Sequence, residues 1–267
     1  MLIARNPLLL FFMKAKQQYS RLLAIILILL PWITGIACNH PQRPANLNTH
    51  LTYTQYQGAP GQRKSITLPD SSEVILNGAT TLYIPSNFTV HHREVVLDGD
   101  AFFVIHTYPD TPFRVVTDVL TTTVRNAVFK VKVEQKGASV QLLSGEAKVQ
   151  KAYVSHMDNQ PEWVHGGEMV MGNSSIDLIE PETCDTTALL MWRSGKLTFE
   201  KEALPAALRV LADWYNTDIN WEGNIPLSKT ITGTWDNESL PQILDKLGPE
   251  QGFTYQIKKN TVNILMK

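Results

Sequence analysis

Apolar and polar positions alternate in short bursts from residue 64 to about residue 181. Between residues 66 and 104 the bursts are cut by turn residues: Pro69-Asp70-Ser71-Ser72, Asn77-Gly78, Pro85 and Asp98-Gly99. Proline presets φ, Asn-Gly supplies positive φ, and aspartate bonds its own backbone. The pattern predicts four short strands in a tightly turned sheet. Further strand-like segments follow at 113–117, 120–124, 128–133, 140–143, 147–153, 169–171 and 176–179. No run in this region places apolar residues at i, i+3, i+4 and i+7. Turn signals recur at a spacing of about 8–12 residues, the signature of an all-β unit. The expectation is an all-β domain over residues 64–181, built of antiparallel, stacked short-strand sheets. Short connections favour hairpins and antiparallel neighbours.

The period changes near residue 190. Leu197 and Phe199 alternate as a strand. Leu204, Leu208, Leu211, Trp214 and Tyr215 then fall on one helical face, with Pro205 in the first turn, where its missing N–H costs nothing. Segments 218–221 and 230–235 read as strands. A second helix carries Leu240, Ile243, Leu244 and Leu247 inward and stops at Gly248. Segments 253–257 and 261–265 form a terminal hairpin. The order predicts a small α+β domain of two βαβ-like repeats over residues 190–267. The boundary falls between about 181 and 191, around Pro181-Glu182-Thr183-Cys184-Asp185. Residues 39–63 are polar and turn-prone and read as a linker, with Tyr53 and Tyr56 marking where a first strand would begin.

Residues 22–38 form a run of 17 without a charge, preceded by Arg5, Lys14, Lys16 and Arg21. This is a membrane-spanning helix or the core of a signal peptide. It is slightly shorter than the roughly 20 residues that span a bilayer comfortably, and Pro31 would kink it. Met13 is an alternative start. Residues 1–21 are then a short basic and apolar cytoplasmic segment or signal n-region. Cys38 stands where a lipoprotein cysteine would stand and is the candidate lipidation site. Three readings stay open: a retained anchor, a lipidated or cleaved signal, or an unanchored hydrophobic tail. In the first two the basic end stays in the cytoplasm and the rest is exported. The expected place is the inner membrane, single-pass, with the bulk in the periplasm; the alternative is a lipoprotein or a protein secreted to the periplasm.

Composition narrows the function. Apolar residues make up 43% of the chain, enough for real cores, and a net charge of −1 offers no electrostatic case for nucleic acid. The two cysteines, Cys38 and Cys184, lack zinc spacing. Seven histidines are scattered through turns, and no HExxH or related spacing places a metal. Asp98 with Asp100, and Glu180 with Glu182, are acidic pairs without a visible cleft; the first pair reads as a turn with a solvated rim. Cys184 and Ser144 lack a placed base. No enzyme and no cofactor is expected. Four tryptophans, Trp192, Trp214, Trp221 and Trp235, fall in the last 76 residues. Trp214 lies on an apolar helix face; Trp221 and Trp235 are either core or exposed anchors.

The chain resembles the exported part of a FecR-family regulator. The resemblance rests on Leu68-Pro69-Asp70, Val74-Ile75-Leu76-Asn77, Arg93-Glu94-Val95-Val96-Leu97-Asp98-Gly99-Asp100-Ala101-Phe102-Phe103 and Pro112-Phe113-Arg114-Val115. Family members typically read LPDGS, LNAxS, REVxLxGEAYF and PFxV there. Leu143-Ser144-Gly145-Glu146-Ala147, Trp192-Arg193-Ser194-Gly195-Lys196-Leu197 and Ile231-Thr232-Gly233-Thr234-Trp235 continue it. The final domain is similar to the short signalling domain of secretins and TonB-dependent transporters. The resemblance implies a non-enzymatic relay. A TonB-dependent outer-membrane transporter, carrying an iron chelate or a glycan, would offer its periplasmic signalling domain. The last domain would bind it, and the signal would pass through one membrane helix to an ECF-type sigma factor. Members usually carry about 80 residues before that helix, whereas 21 precede it here, so the helical cytoplasmic domain that holds the sigma factor is expected to be missing. The alternative is an envelope lipoprotein or structural interaction module anchored at Cys38, with no sigma-factor role. The predicted partner-binding strand is Thr230, Ile231, Thr232, Gly233, Thr234 and Trp235, with 262–265 as the other candidate, since an open sheet edge can accept a partner's strand.

Overall fold

The computed structural model describes residues 44, 46–108, 110–134, 136–223, 225 and 228–266. The run 22–38 and Cys38 lie outside these residues.

A long hairpin organises the first part of the chain. Its arms are β8 (Leu120–Val133) and β9 (Gly137–Lys151), paired from Leu120↔Lys151 to Val133↔Ala138. The free edge of β8 is shared by two strands. β7 (Phe113–Val116) takes residues 121–124, and β6 (Asp100–Ile105) takes 127–132. The ladder breaks register between Val124 and Ala127, opposite Gly145. Gly145 has φ +91°, and a Cβ there would lie 2.3 Å from the Asn126 carbonyl oxygen, so only glycine fits. Such a bulge bends both arms. β9 is divided the same way, with β10 (Glu162–His165) on residues 146–149 and β11 (Glu168–Asn173) on 137–141.

The bend turns one continuous twelve-stranded sheet into two facing layers. One holds β1 (Tyr53–Gln57), β4 (Thr81–Pro85), β5 (Arg93–Asp98), β7 and β10. The other holds β2 (Lys64–Thr67), β3 (Glu73–Leu76), β6, β11 and β12 (Leu178–Thr183). Their inner faces meet: the Phe103 ring of β6 lies 6.3 Å from Phe113 of β7 and 5.1 Å from Phe129 of β8. The turns at Asn77-Gly78 and Asp98-Gly99 therefore differ from the expected hairpins. Each carries the chain from one layer to the other, so β3 does not pair with β4, nor β5 with β6. As a result β5 and β7 become parallel neighbours, the exception to an otherwise antiparallel sheet. A turn motif sets a local reversal; burial of Leu76 and Leu82 in a common core decides which strands pair. Within the segment read as linker, β1 begins at Tyr53, where a first strand was expected to start, and segment 181–183, read as boundary, belongs to edge strand β12. Pro181 is tolerated there because an edge position needs no second ladder bond.

Inside this first domain sits a buried ion pair. Arg93 Nε donates to Asp70 Oδ2 at 2.7 Å, and neither side chain has any exposure. Nη2 donates to the His106 carbonyl at 2.8 Å and Nη1 to the Thr111 carbonyl at 3.2 Å. Asp70 also accepts from the Ser72 amide at 3.0 Å and the Ser72 hydroxyl at 3.1 Å. The guanidinium lies against the rings of Tyr108 and Phe113. One cation thus ties the turn before β3, the start of β5 and the β6–β7 loop.

The second domain follows α1 (Thr186–Ser194), a helix that the periodicity did not reveal. β13 (Lys196–Ala203) pairs antiparallel with β15 (Thr230–Asp236). β17 (Thr261–Met266) runs between β14 (Asp218–Glu222), its parallel neighbour, and β16 (Phe253–Lys258). Helices α2 (Leu204–Tyr215) and α3 (Leu240–Gln251) bury Leu208, Leu211, Ile243 and Leu244 against both sheets. In each strand–helix–strand segment the two strands fall in different sheets, so neither segment closes a βαβ unit. Helix α3 also runs past Gly248 and through Pro249, because Gly252, at φ +70°, supplies the left-handed cap.

Substituting Arg93→Met leaves Asp70 buried without its partner. The expected loss is about 3–5 kcal/mol in urea unfolding, and adding Asp70→Leu restores part of it, because an unpaired buried charge costs more than an apolar pair.

Candidate functional site

The two domains meet on Trp192, and the local sequence explains its placement. Asp185 caps α1 through its Oδ1, which accepts from the Thr187 amide at 2.9 Å and the Ala188 amide at 3.1 Å. Gly195 ends the helix with φ +76°. One turn separates Leu189 from Trp192, the two buried positions of α1, so a single short face is turned inward.

The indole is held on all sides. Its ring stacks on Phe102 of β6 at 6.0 Å and 23°. The Arg63 guanidinium lies 4.4 Å from its centroid and the Lys130 ammonium 4.5 Å. Two cations on one desolvated indole form a strong cation–π arrangement. Nε1 donates to the Trp214 carbonyl at 3.1 Å, which reaches the end of α2. Lys130 is neutralised by Asp100 at 3.1 Å. Asp100 is fully buried, and so is not the solvated rim its turn position suggested. Asn77 Nδ2 donates both to Asp100 Oδ2 at 2.9 Å and to the Trp214 carbonyl at 3.0 Å. Arg63 Nη2 donates to the Arg193 carbonyl at 3.0 Å, and burial lowers the guanidinium pKa.

Backbone contacts close the junction. The Leu240 amide donates to the Gly61 carbonyl at 2.8 Å. At Gly78 a Cβ would lie 2.6 Å from the Tyr215 carbonyl oxygen, so glycine permits the approach. The Tyr215 hydroxyl donates to the Glu238 carbonyl, and burial pushes its pKa up to about 12. At the rim, Gln62, Arg63, Ser65, Asn237, Glu238 and Gln242 line an open cleft of about 540 Å³.

Comparison with known proteins places this arrangement. The family model described as "FecR protein" matches residues 54–148, and the one described as "FecR, C-terminal" matches residues 196–264. Together they cover more than half of the chain. The chain belongs to the FecR family. Two crystal structures of a candidate anti-sigma factor from Parabacteroides distasonis ATCC 8503, at 1.65 Å and 2.50 Å resolution, share the FecR chain's fold. The first is 25% identical, with a TM-score of 0.54, and the match covers 80% of this chain and 99% of that one. The second is also 25% identical with a TM-score of 0.54, covering 81% and 100%. No curated protein matches.

Within the FecR chain, the predicted partner strand is β15. It pairs with β13 along one edge, and among the described residues no strand pairs with its other edge. Thr230, Thr232 and Thr234 are exposed, whereas Ile231 and Trp235 are buried and Gly233 is half-buried. Trp235 packs on Phe199 at 5.6 Å, which makes it core rather than an anchor. The other candidate, 262–265, lies in β17, whose two edges are both taken by β14 and β16, so it has no free edge to offer. Trp214 and Trp221 are half-buried against the domain core. Among the described residues no group of three or more ligating side chains could hold a metal. Cys184 carries a free thiol that donates to the Leu142 carbonyl at 3.6 Å, and burial raises its pKa. No described helix is long and apolar enough to cross a membrane. The junction escaped sequence reading because its members are spread from Gly61 to Leu240. The one signal was Lys130, a charge set between the apolar Phe129 and Val131.

Two outcomes are expected at the junction. Trp192→Ala costs about 3 kcal/mol in chemical unfolding and speeds amide exchange in α1, as removal of a buried indole does. Tyr215 is neutral in the fold and its pKa lies above the ordinary value of 10.0, so its contribution is full below about pH 10 and is lost as pH rises through about 12. Alkaline unfolding should flatten across that window in Tyr215→Phe.

Proposed function

We propose that this FecR-family chain is a non-enzymatic signal-relay protein that passes an envelope signal toward a sigma factor of the ECF type. The observation that carries the reading is the ordered match of both family domains, supported by the likeness to a candidate anti-sigma factor over nearly all of its crystallised chain. A relay must couple its binding domain to the rest of the chain. The Trp192 clamp, with Asn77, Asp100 and the Trp214 carbonyl behind it, supplies a coupling element between the two domains.

The partner we assign is the periplasmic signalling domain of a TonB-dependent outer-membrane transporter, with the chain held in the inner membrane through residues 22–38. Binding would extend the β13–β15 sheet at the free edge of β15, through main-chain bonds and the exposed Thr230, Thr232 and Thr234. Ile231 and Trp235 would act indirectly, by fixing the strand on the core. The alternative, an envelope lipoprotein anchored at Cys38, has its own readout in palmitate labelling that vanishes in Cys38→Ala.

Titration of the full chain with the periplasmic signalling domain of a TonB-dependent transporter tests the partner. Thr232→Lys with Thr234→Lys should weaken binding by about tenfold or more while leaving the melting transition in place, because charged edge residues oppose strand addition. Absence of binding at high micromolar concentration, or unchanged affinity in the double variant, would remove the edge from the account.

A further inference from the structure

The three most exposed large apolar side chains among the described residues are Val154, Met157 and Ile176, at 89%, 71% and 68% exposure. They are not scattered. All three stand on two loops tied together by one carboxylate, that of Asp177. Its Oδ2 accepts from the Ser155 hydroxyl at 2.8 Å, the His156 amide at 3.1 Å and the Met157 amide at 3.2 Å. Its Oδ1 accepts from Lys151 Nζ at 2.8 Å, which neutralises it. The hydrogen bond from Lys151 holds the Asp177 pKa well below the carboxylate range. Val154, Met157 and Ile176 are thus presented by a rigid, internally paired polar knot. Exposed apolar side chains gathered in one place, rather than scattered singly, mark an interaction surface.

The entry point of the chain lies at the same end. Asn46 Nδ2 donates to the Thr117 carbonyl at 2.7 Å, in the β7–β8 turn. That turn holds the start of the apolar loop, since the Ala152 amide donates to the Val119 carbonyl at 2.9 Å. Leu47 packs on Tyr83, Val96 and Val116 and fixes the entering chain. Only residues 39–43 separate Pro44, which is buried, from the uncharged run 22–38. Five residues span at most roughly 18 Å when fully extended.

We infer that Val154, Met157 and Ile176 form a membrane-contact surface, inserting into the headgroup boundary of the bilayer that receives residues 22–38. The inference rests on the reading of that run as membrane-inserted. A short tether presents this end of the domain to the lipid, and exposed apolar side chains at an interface partition into it. Lys151 and Asp177 are already paired, and the exposed carboxylate of Asp158, next to Met157, would stay on the water side of the headgroups. The contact would hold the first domain upright on the membrane, with the β13–β15 edge carried by the second domain.

The test uses the full chain in nanodiscs of phosphatidylethanolamine and phosphatidylglycerol. Dansylalanine replaces Val154, Met157 or Ile176 in turn, with exposed Arg125 and Glu250 as control positions. Doxyl groups near the lipid headgroups should quench roughly half of the emission at the three positions and leave both controls unchanged, as expected for shallow insertion. Quenching no greater than at the controls, in chains that remain with the nanodisc, overturns the contact and leaves the anchor intact. Loss of the chain from the nanodisc overturns both. A blue shift that follows the number of chains per nanodisc and is insensitive to doxyl lipid assigns the patch to a second copy instead.

Discussion

The indole of Trp192 is the interaction on which the two-domain arrangement depends. It belongs to the short helix that joins the domains, yet its ring is packed by first-domain groups: Phe102, Arg63 and Lys130. Its nitrogen bonds the end of α2 in the second domain. The same carbonyl of Trp214 accepts from Asn77, which also holds Asp100. A chain of direct contacts therefore runs from the first-domain core to the helix that supports the β13–β15 sheet. Within a close-packed interior such contacts have few alternative arrangements. Strain applied at β15 has a physical path into the first domain.

The first domain gains its own rigidity from the bent β8–β9 hairpin. Because the hairpin belongs to both layers, the layers cannot slide apart without breaking its ladders. Arg93 reinforces the design by joining three loops through Asp70 and two carbonyls. A buried ion pair is weak as a source of stability, and its use here is to fix geometry where the chain crosses between layers.

Much of this architecture was legible in the chain. The strand-only character of the first region and helices α2 and α3 followed from apolar period and from Pro205, although the stop read at Gly248 falls inside α3, which ends at Gly252. Helix α1 was not legible, since with nine residues and two inward positions it shows too little period to read. The signals at its ends, Asp185 and Gly195, were present but isolated. The layer-crossing role of Asn77-Gly78 and Asp98-Gly99 was hidden because a turn motif does not name the partner strand. Asp70 read as a turn former, which it is through Ser72, while its pairing with Arg93, 23 positions away, depends on the fold. Asp100 read as solvated because two turn residues precede it; Lys130 and Asn77 come to it only once β6 and β8 are paired.

The central claim is that the two domains move as one body through the Trp192 clamp. Pulsed electron–electron distance measurement between spin labels at Arg125 and Glu250, one exposed position in each domain, tests it most directly. The account predicts a single narrow distance distribution in the native chain that broadens in Trp192→Ala. A broad distribution in the native chain, or a narrow one that survives the substitution, would contradict it.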